Sequence, residues 1–294
     1  MPNRGGRAPS GPWSRLKPVE HDVLESYGLP SKGDSRLLDF KTQEKYYTNI
    51  VERYMTFCSD AGRRDELLRR FSALEIAPVS APPAPSSSVD DLALQKPENS
   101  KALSDVLSAL RKLREAIVAS DRIDDFALQA YLFCIRLAVL VKRPEAYHPA
   151  ALHLLRSLHP RHPLTSVELH EVAAYLVLDT ACRRQQLAEA FALRRRYGLR
   201  DAKVAAVLAA LVHDDSLAFW HVKAAIDGHC ARIMEWAEPD MRTHALKCIG
   251  SSYLTVDIDF LERLTGSTWD ELKRDYGVGW ELNCRTVTIR KRKT

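Results

Sequence analysis

The 294-residue chain contains no C-x-x-C pair, no G-x-G-x-x-G, no Walker lysine, no H-E-x-x-H and no G-x-S-x-G. Those absences remove the signatures of thiol redox and zinc-ribbon sites, phosphate-cradling loops, zinc hydrolases and serine nucleophile elbows. No apolar run approaches the ~18 residues a membrane span needs. Arg136 and Lys142 bracket the most apolar stretch, residues 137–141. The opening MPNRGGRAPSGPW has no apolar core behind its arginines and does not read as a secretory signal. The six cysteines are scattered, and Cys58, Cys134, Cys182 and Cys248 fall inside helical patterns among apolar neighbours. Reduced, buried thiols in a nuclear or cytoplasmic protein are expected, not a disulfide framework.

What is present is helical. Hydrophobic residues at 46% and charged residues at 28% describe an ordinary soluble chain, and Leu and Ala dominate its middle. The formal net charge of +5 is local: Arg285, Arg290, Lys291, Arg292 and Lys293 account for it, and residues 1–284 carry 38 basic against 38 acidic side chains. Residues 1–40, rich in Gly, Pro, Ser and charge, read as a disordered tail. Within 41–76, Tyr47, Ile50, Val51, Tyr54, Met55 and Cys58 stripe one face of a helix over 42–58, and Leu67, Leu68, Phe71 and Leu74 stripe a shorter one. The first of these either folds back on the rest of the chain or binds a partner. Residues 77–99, with their prolines and serines, read as a flexible linker.

From 100 to 250 the helical signal is nearly unbroken. Ser100 and Asp121 are expected to open helices, and Pro144 and Pro149 to divide the second from the next. Thr165 with Glu168 forms a capping box. Gly198 suits a left-handed C-cap, and Asp201 and Asp215 cap further helices. Helices of roughly 10 to 20 residues on short connectors predict antiparallel helix pairs stacked as an irregular solenoid.

Residues 251–290 change character. An extended run at 253–256 precedes a helix stopped by Gly266; Ser267 and Thr268 restart a second helix. Strands at 279–282 and 285–290 then turn at Asn283-Cys284. Strand, helix, turn, helix and hairpin, in that order, predict a winged helix. The fold class expected is therefore mainly α: a TPR-like helical-hairpin solenoid, capped by a C-terminal winged helix with a small antiparallel sheet, then a basic tail at 291–294.

Three strings carry a resemblance: DFALQAYLFCIR (125–136), residues 167–192, and YLTVDIDFLERLTG (253–266) with GWELNCRTVTIR (279–290). Over about residues 100–290 the chain resembles PCI-domain proteins. It is most similar to the short-subunit group of the proteasome lid, the signalosome and the k subunit of translation initiation factor three. The runner-up group is the PCI proteins of transcription-coupled mRNA export. The helices at 42–76 and the tail at 290–293 have no counterpart in the first group. The resemblance implies a non-catalytic scaffold subunit whose partners are other PCI or helical-repeat subunits. Winged-helix edge strands pair between subunits in that family, which makes Tyr253, Leu254, Val256, Trp280, Leu282, Val287 and Ile289 candidate interface residues.

The alternative is RNA or DNA binding through the second helix, wing and tail, by Lys273, Arg274, Arg285, Arg290, Lys291, Arg292 and Lys293. The run at 290–293 reads equally as a solvated tail or an import signal. Arg194, Arg195, Arg196, Arg200 and Lys203 form a second patch, at a helix C-terminus where cations are favourable in any case. His148, His153, His159, His162 and His170 are the densest potential metal ligands, but three of them precede prolines at helix boundaries. Neither metal nor cofactor nor catalytic residue is expected, and no membrane partner.

Overall fold

The structure is a computed structural model that describes residues 24–61 and 97–290. It is mainly helical, with a small three-stranded antiparallel sheet at the C-terminal end. The helices are α1 (Phe40–Ala61), α2 (Pro97–Ala119), α3 (Asp125–Leu140), α4 (Pro144–His153), α5 (Ser166–Leu178) and α6 (Leu187–Arg196). There follow α7 (Ala202–Val212), α8 (Ser216–Ala225), α9 (Gly228–Met234) and α10 (Glu238–Ser252). Strand β1 (Thr255–Asp257), helices α11 (Ile258–Thr265) and α12 (Trp269–Tyr276), and strands β2 (Glu281–Asn283) and β3 (Thr286–Thr288) complete the chain. Among the described residues no helix is long and apolar enough to cross a membrane.

Successive helices pack as pairs: α1 with α2, α3 with α4, α5 with α6, α7 with α8. The apolar α3 runs through the centre, with Leu128, Tyr131, Leu132, Ile135, Leu137 and Val139 all buried. The predicted caps act as their side chains allow. Thr165 and Glu168 close a capping box on α5, Asp201 and Asp215 cap α7 and α8, and Gly198 turns at φ +60. After α4 and α5 the backbone widens into single π turns, His159 N bonding Leu154 O (2.8 Å) and Arg184 N bonding Asp179 O (3.1 Å).

Several expectations change. Residues 24–40 are not tail: Leu24 and Leu37 are buried, and their carbonyls accept from Tyr46 Oη and Gln43 Nε2, both at 2.9 Å. Helix α1 folds back onto α2. Its buried face is centred on Gln43, Tyr46, Ile50 and Phe57, while Met55 is 57% exposed. Gln43 belongs to that face because its amide bonds Leu37 and Ser120 (2.9 Å), a partnership no hydrophobic pattern registers. The next helix starts at Pro97, not at Ser100. Asp124, not Asp121, caps α3, accepting from Ala127 N at 2.9 Å, and Asp121 occupies the preceding turn at φ +48. Pro149 sits inside α4, with Pro144 at its first turn. Cys248, expected among apolar neighbours, is exposed, and Cys230 is buried. The expected tail over 1–23, the helix expected around 67–74, and residues 77–96 of the linker expected over 77–99 lie outside the described residues, and 97–99 belong to α2.

In the C-terminal part, β3 is central in the order β1-β3-β2. Val256 faces Val287, which faces Leu282, so one row of side chains crosses the sheet. That row packs on Leu261, Trp269 and Leu272 of the two helices and Ile249 of α10, a core separate from the main one. Because Asn283 pairs with Thr286, the turn is Cys284-Arg285, one residue later than expected, with Cys284 at φ +57.

Gly266 ends α11 at φ +59, and a Cβ there would stand 2.5 Å from Cδ2 of Trp220 on α8. Gly277 ends α12 at φ +62 with nothing within 4 Å of such a Cβ. Gly277→Ala should therefore cost about 1 kcal/mol for the left-handed backbone alone, and Gly266→Ala about 3 kcal/mol because overpacking adds to it. Urea denaturation of the two variants checks the difference. Burial pushes the Cys134 and Cys182 thiols up, and Cys230 up to about 12. Alkylation of the native protein followed by mass spectrometry should mark Cys248 and Cys284 and spare those three.

Candidate interaction site

The C-terminal unit is positioned by local chemistry first. Asp257 caps α11, accepting from Asp259 N at 2.9 Å. Thr268 and Glu271 form a capping box on α12. Ser267 Oγ donates to Glu271 at 2.8 Å, and Trp269 N donates to Glu262 at 2.9 Å. The left-handed Gly266 and Gly277 reverse the chain after each helix.

A cluster of long side chains then joins this unit to the helical body. Trp220 Nε1 donates to Leu264 O at 3.0 Å. The Arg242 guanidinium lies 4.7 Å from the Trp220 ring centroid. It donates to Thr265 O at 3.0 Å and Glu238 at 2.8 Å, and reaches Tyr276 Oη at 3.5 Å. Lys223 pairs with the same Glu238. No sequence pattern pointed to Trp220 or Arg242, which lie 46 and 24 residues before Gly266.

The candidate interface residues divide. Val256 and Val287 are buried in the small core and have no surface to offer a partner; alternation places them on the face that the helices cover. Trp280, Leu282 and Ile289 are half-buried against the same core, with Trp280 Cζ2 3.4 Å from where a Cβ of Gly250 would lie. Tyr253 and Leu254 remain outside, 49% and 44% exposed. Leu254 O accepts from Ile289 N at 2.8 Å and Arg290 N at 3.2 Å. Its backbone is therefore held at the head of β1, one of the two sheet edges.

The candidate nucleic-acid residues do not form one free surface. Lys273 extends over the Trp269 ring at 5.4 Å. Arg274 pairs with Asp275 at 2.8 Å and holds that carboxyl below its ordinary range. Arg285 pairs with Asp259, and Arg290 donates to Gly250 O. Helix α12 itself carries Asp270, Glu271 and Asp275 beside Lys273 and Arg274, and residues 251–290 hold seven acidic against five basic side chains. Residues 251–290 are thus net negative, and the positive excess of this end of the chain comes from residues 291–293. Lys291, Arg292 and Lys293 lie outside the described residues.

The histidines work separately. His148 Nδ1 meets Asp179 at 3.2 Å, His162 Nε2 meets Asp125 at 2.7 Å, and His159 Nδ1 accepts from Leu164 N at 3.1 Å. Among the described residues no three His, Cys, Asp or Glu side chains stand together as metal ligands. A groove of about 740 Å³ between α2, α3 and α4 is lined by Arg111, Arg114, Arg143, Tyr131 and His153. His153 stacks on Tyr131 at 5.2 Å, and burial lowers its pKa. The chain matches no protein-family model and no curated protein in sequence.

The Thr268 N–H (3.0 Å) and the Ser267 hydroxyl hold the Glu271 carboxyl below its ordinary value of 4.5. A lowered folded pKa gives stability that is present above 4.5 and lost as pH falls through the folded value. Glu271→Gln should therefore be less stable than wild type near neutral pH and equal to it at the acid end. Urea midpoints measured across that range check the sign.

Proposed function

We propose that the chain is a non-catalytic scaffold subunit of PCI type, a helical-hairpin solenoid with a winged-helix cap, joining a multisubunit assembly through the head of strand β1. Exposure of Tyr253 and Leu254 carries this reading. They are two large apolar side chains in succession, held by backbone hydrogen bonds at a sheet edge. Aromatic and aliphatic anchors beside an unextended edge suit strand addition by a partner. The β-α-α-β-β order and the pairwise helices support the PCI part. The partners it implies are other helical-repeat subunits, in the nucleus or cytoplasm.

Nucleic-acid binding by the same unit is the second reading, and the pairing of Arg274 and Arg285 with carboxylates weighs against it. What favours it is the basic run at 290–293.

The test is quantitative co-purification from the protein's own cells, comparing wild type with Tyr253→Asp/Leu254→Asp. A defined set of partners should be recovered with wild type and fall about tenfold or more with the variant, since central apolar anchors dominate binding energy. An unchanged melting temperature confirms that the variant is folded. Wild type that recovers no stoichiometric partner, or a variant that recovers all of them, ends the proposal.

A further inference from the structure

Residues 1–284 are neutral overall but not everywhere. Residues 191–203, FALRRRYGLRDAK, hold five basic side chains and one acidic. Helix α6 ends in Arg194, Arg195 and Arg196, and the chain then reverses at Gly198. Leu199 N bonds Arg194 O at 3.0 Å and Gly198 N bonds Arg195 O at 3.2 Å. This closure brings residues 199 and 200 back beside the last turn of α6.

Two of the five cations serve the fold. Arg194 Nε donates to Leu199 O at 3.3 Å and Lys203 Nζ to Ala225 O at 2.5 Å, the use a helix end makes of a cation. The other three do not. Arg195, Arg196 and Arg200 are exposed, and among the described residues none pairs with a carboxylate. The single acid, Asp201, is occupied as the cap of α7, accepting from Lys203 N at 2.7 Å and Val204 N at 3.0 Å. Two aromatic rings stand among these cations. Phe191, one turn before Arg195, is 41% exposed, and Tyr197 lies under the Arg196 guanidinium at 5.7 Å.

We propose that this corner between α6 and α7 binds single-stranded nucleic acid. Arg195, Arg196 and Arg200 meet phosphates, and the Phe191 and Tyr197 rings offer faces to unpaired bases. Free guanidinium groups give salt-sensitive attraction to a phosphate backbone, and ring faces accept any base. An acidic peptide would use the cations and not need planar rings. This surface is distinct from the C-terminal unit, whose arginines are already engaged, and does not depend on the assembly reading.

The experiment is fluorescence anisotropy of a labelled oligo(U) of about 16 nucleotides, a length within known single-strand site sizes, titrated with the full chain between about 50 and about 200 mM salt. Wild type should bind with a log–log salt slope near −2, about 0.7 for each of three phosphate contacts. Arg195→Gln/Arg196→Gln/Arg200→Gln should weaken binding at least roughly tenfold and flatten that slope. Phe191→Ala should weaken it by about tenfold with the slope unchanged. A chain ending at residue 290 and the Tyr253→Asp/Leu254→Asp variant should bind as wild type, so this proposal and the assembly reading fail separately. Wild type that does not bind, or a triple variant that binds like wild type, overturns the proposal. So does displacement of the probe by poly-glutamate or by a duplex as readily as by unlabelled oligo(U); the first outcome would indicate an acidic protein partner.

Discussion

The contact between Gly266 and Trp220 is the constraint on which the C-terminal architecture rests. The indole of α8 lies where any Cβ at position 266 would be, so the turn between α11 and α12 docks only because it has no side chain. Arg242 of α10 closes the joint, covering the indole and bonding the consecutive carbonyls of Thr265 and Gly266. Two elements of the body, α8 and α10, thereby set the orientation of the three-stranded sheet. With the sheet so placed, Val256 and Val287 are covered and Tyr253 and Leu254 are left outside.

The body uses the same device of one charged side chain satisfied from several elements. Asp179 is fully buried and accepts from Tyr147 Oη at 2.5 Å and from Arg183 at 2.6 and 2.8 Å. Its place at the start of a π turn lets Arg183 approach it. Arg122, also buried, bonds Asp124, Glu44 and the Phe40 carbonyl. It stacks between the rings of Phe40 and Phe126 at 4.5 and 4.1 Å. A buried charge with all its donors used adds little net stability over apolar packing, but removing one partner costs about 3–5 kcal/mol. These two clusters therefore set register, α4 on α5 in one case and α1 against the α2–α3 corner in the other.

Many features whose cause lies within four or five residues were legible in advance, although the cap of α3 at Asp124 and the turn at Cys284-Arg285 each fell beside the expected position. The capping box at Thr165 and Glu168, the aspartate caps at 201 and 215, the left-handed glycine at 198 and the helix stop at Gly266 follow from side-chain length and backbone sterics alone. Features set by distant partners were not. Gln43 faces the core because Leu37 O and Ser120 Oγ meet its amide. Leu24 is ordered because Tyr46 and Lys112 bond its carbonyl. The extended runs that carry Val256, Leu282 and Val287 were readable, but not that the helices would cover Val256 and Val287.

Composition and spacing by themselves determined a mainly helical chain with a small C-terminal sheet and a net charge concentrated at one end. They could do so because periodicity, caps and charge are properties of neighbours in sequence. Only the tertiary structure decided which cations are free. Arg274, Arg285 and Arg290 are engaged by an adjacent carboxylate, a carboxylate 26 residues away and a carbonyl 40 residues away, while Arg195 and Arg200 have no carboxylate partner among the described residues. The physical reason is that an arginine's availability depends on what stands within about 4 Å of its guanidinium, and folding, not sequence order, sets that distance.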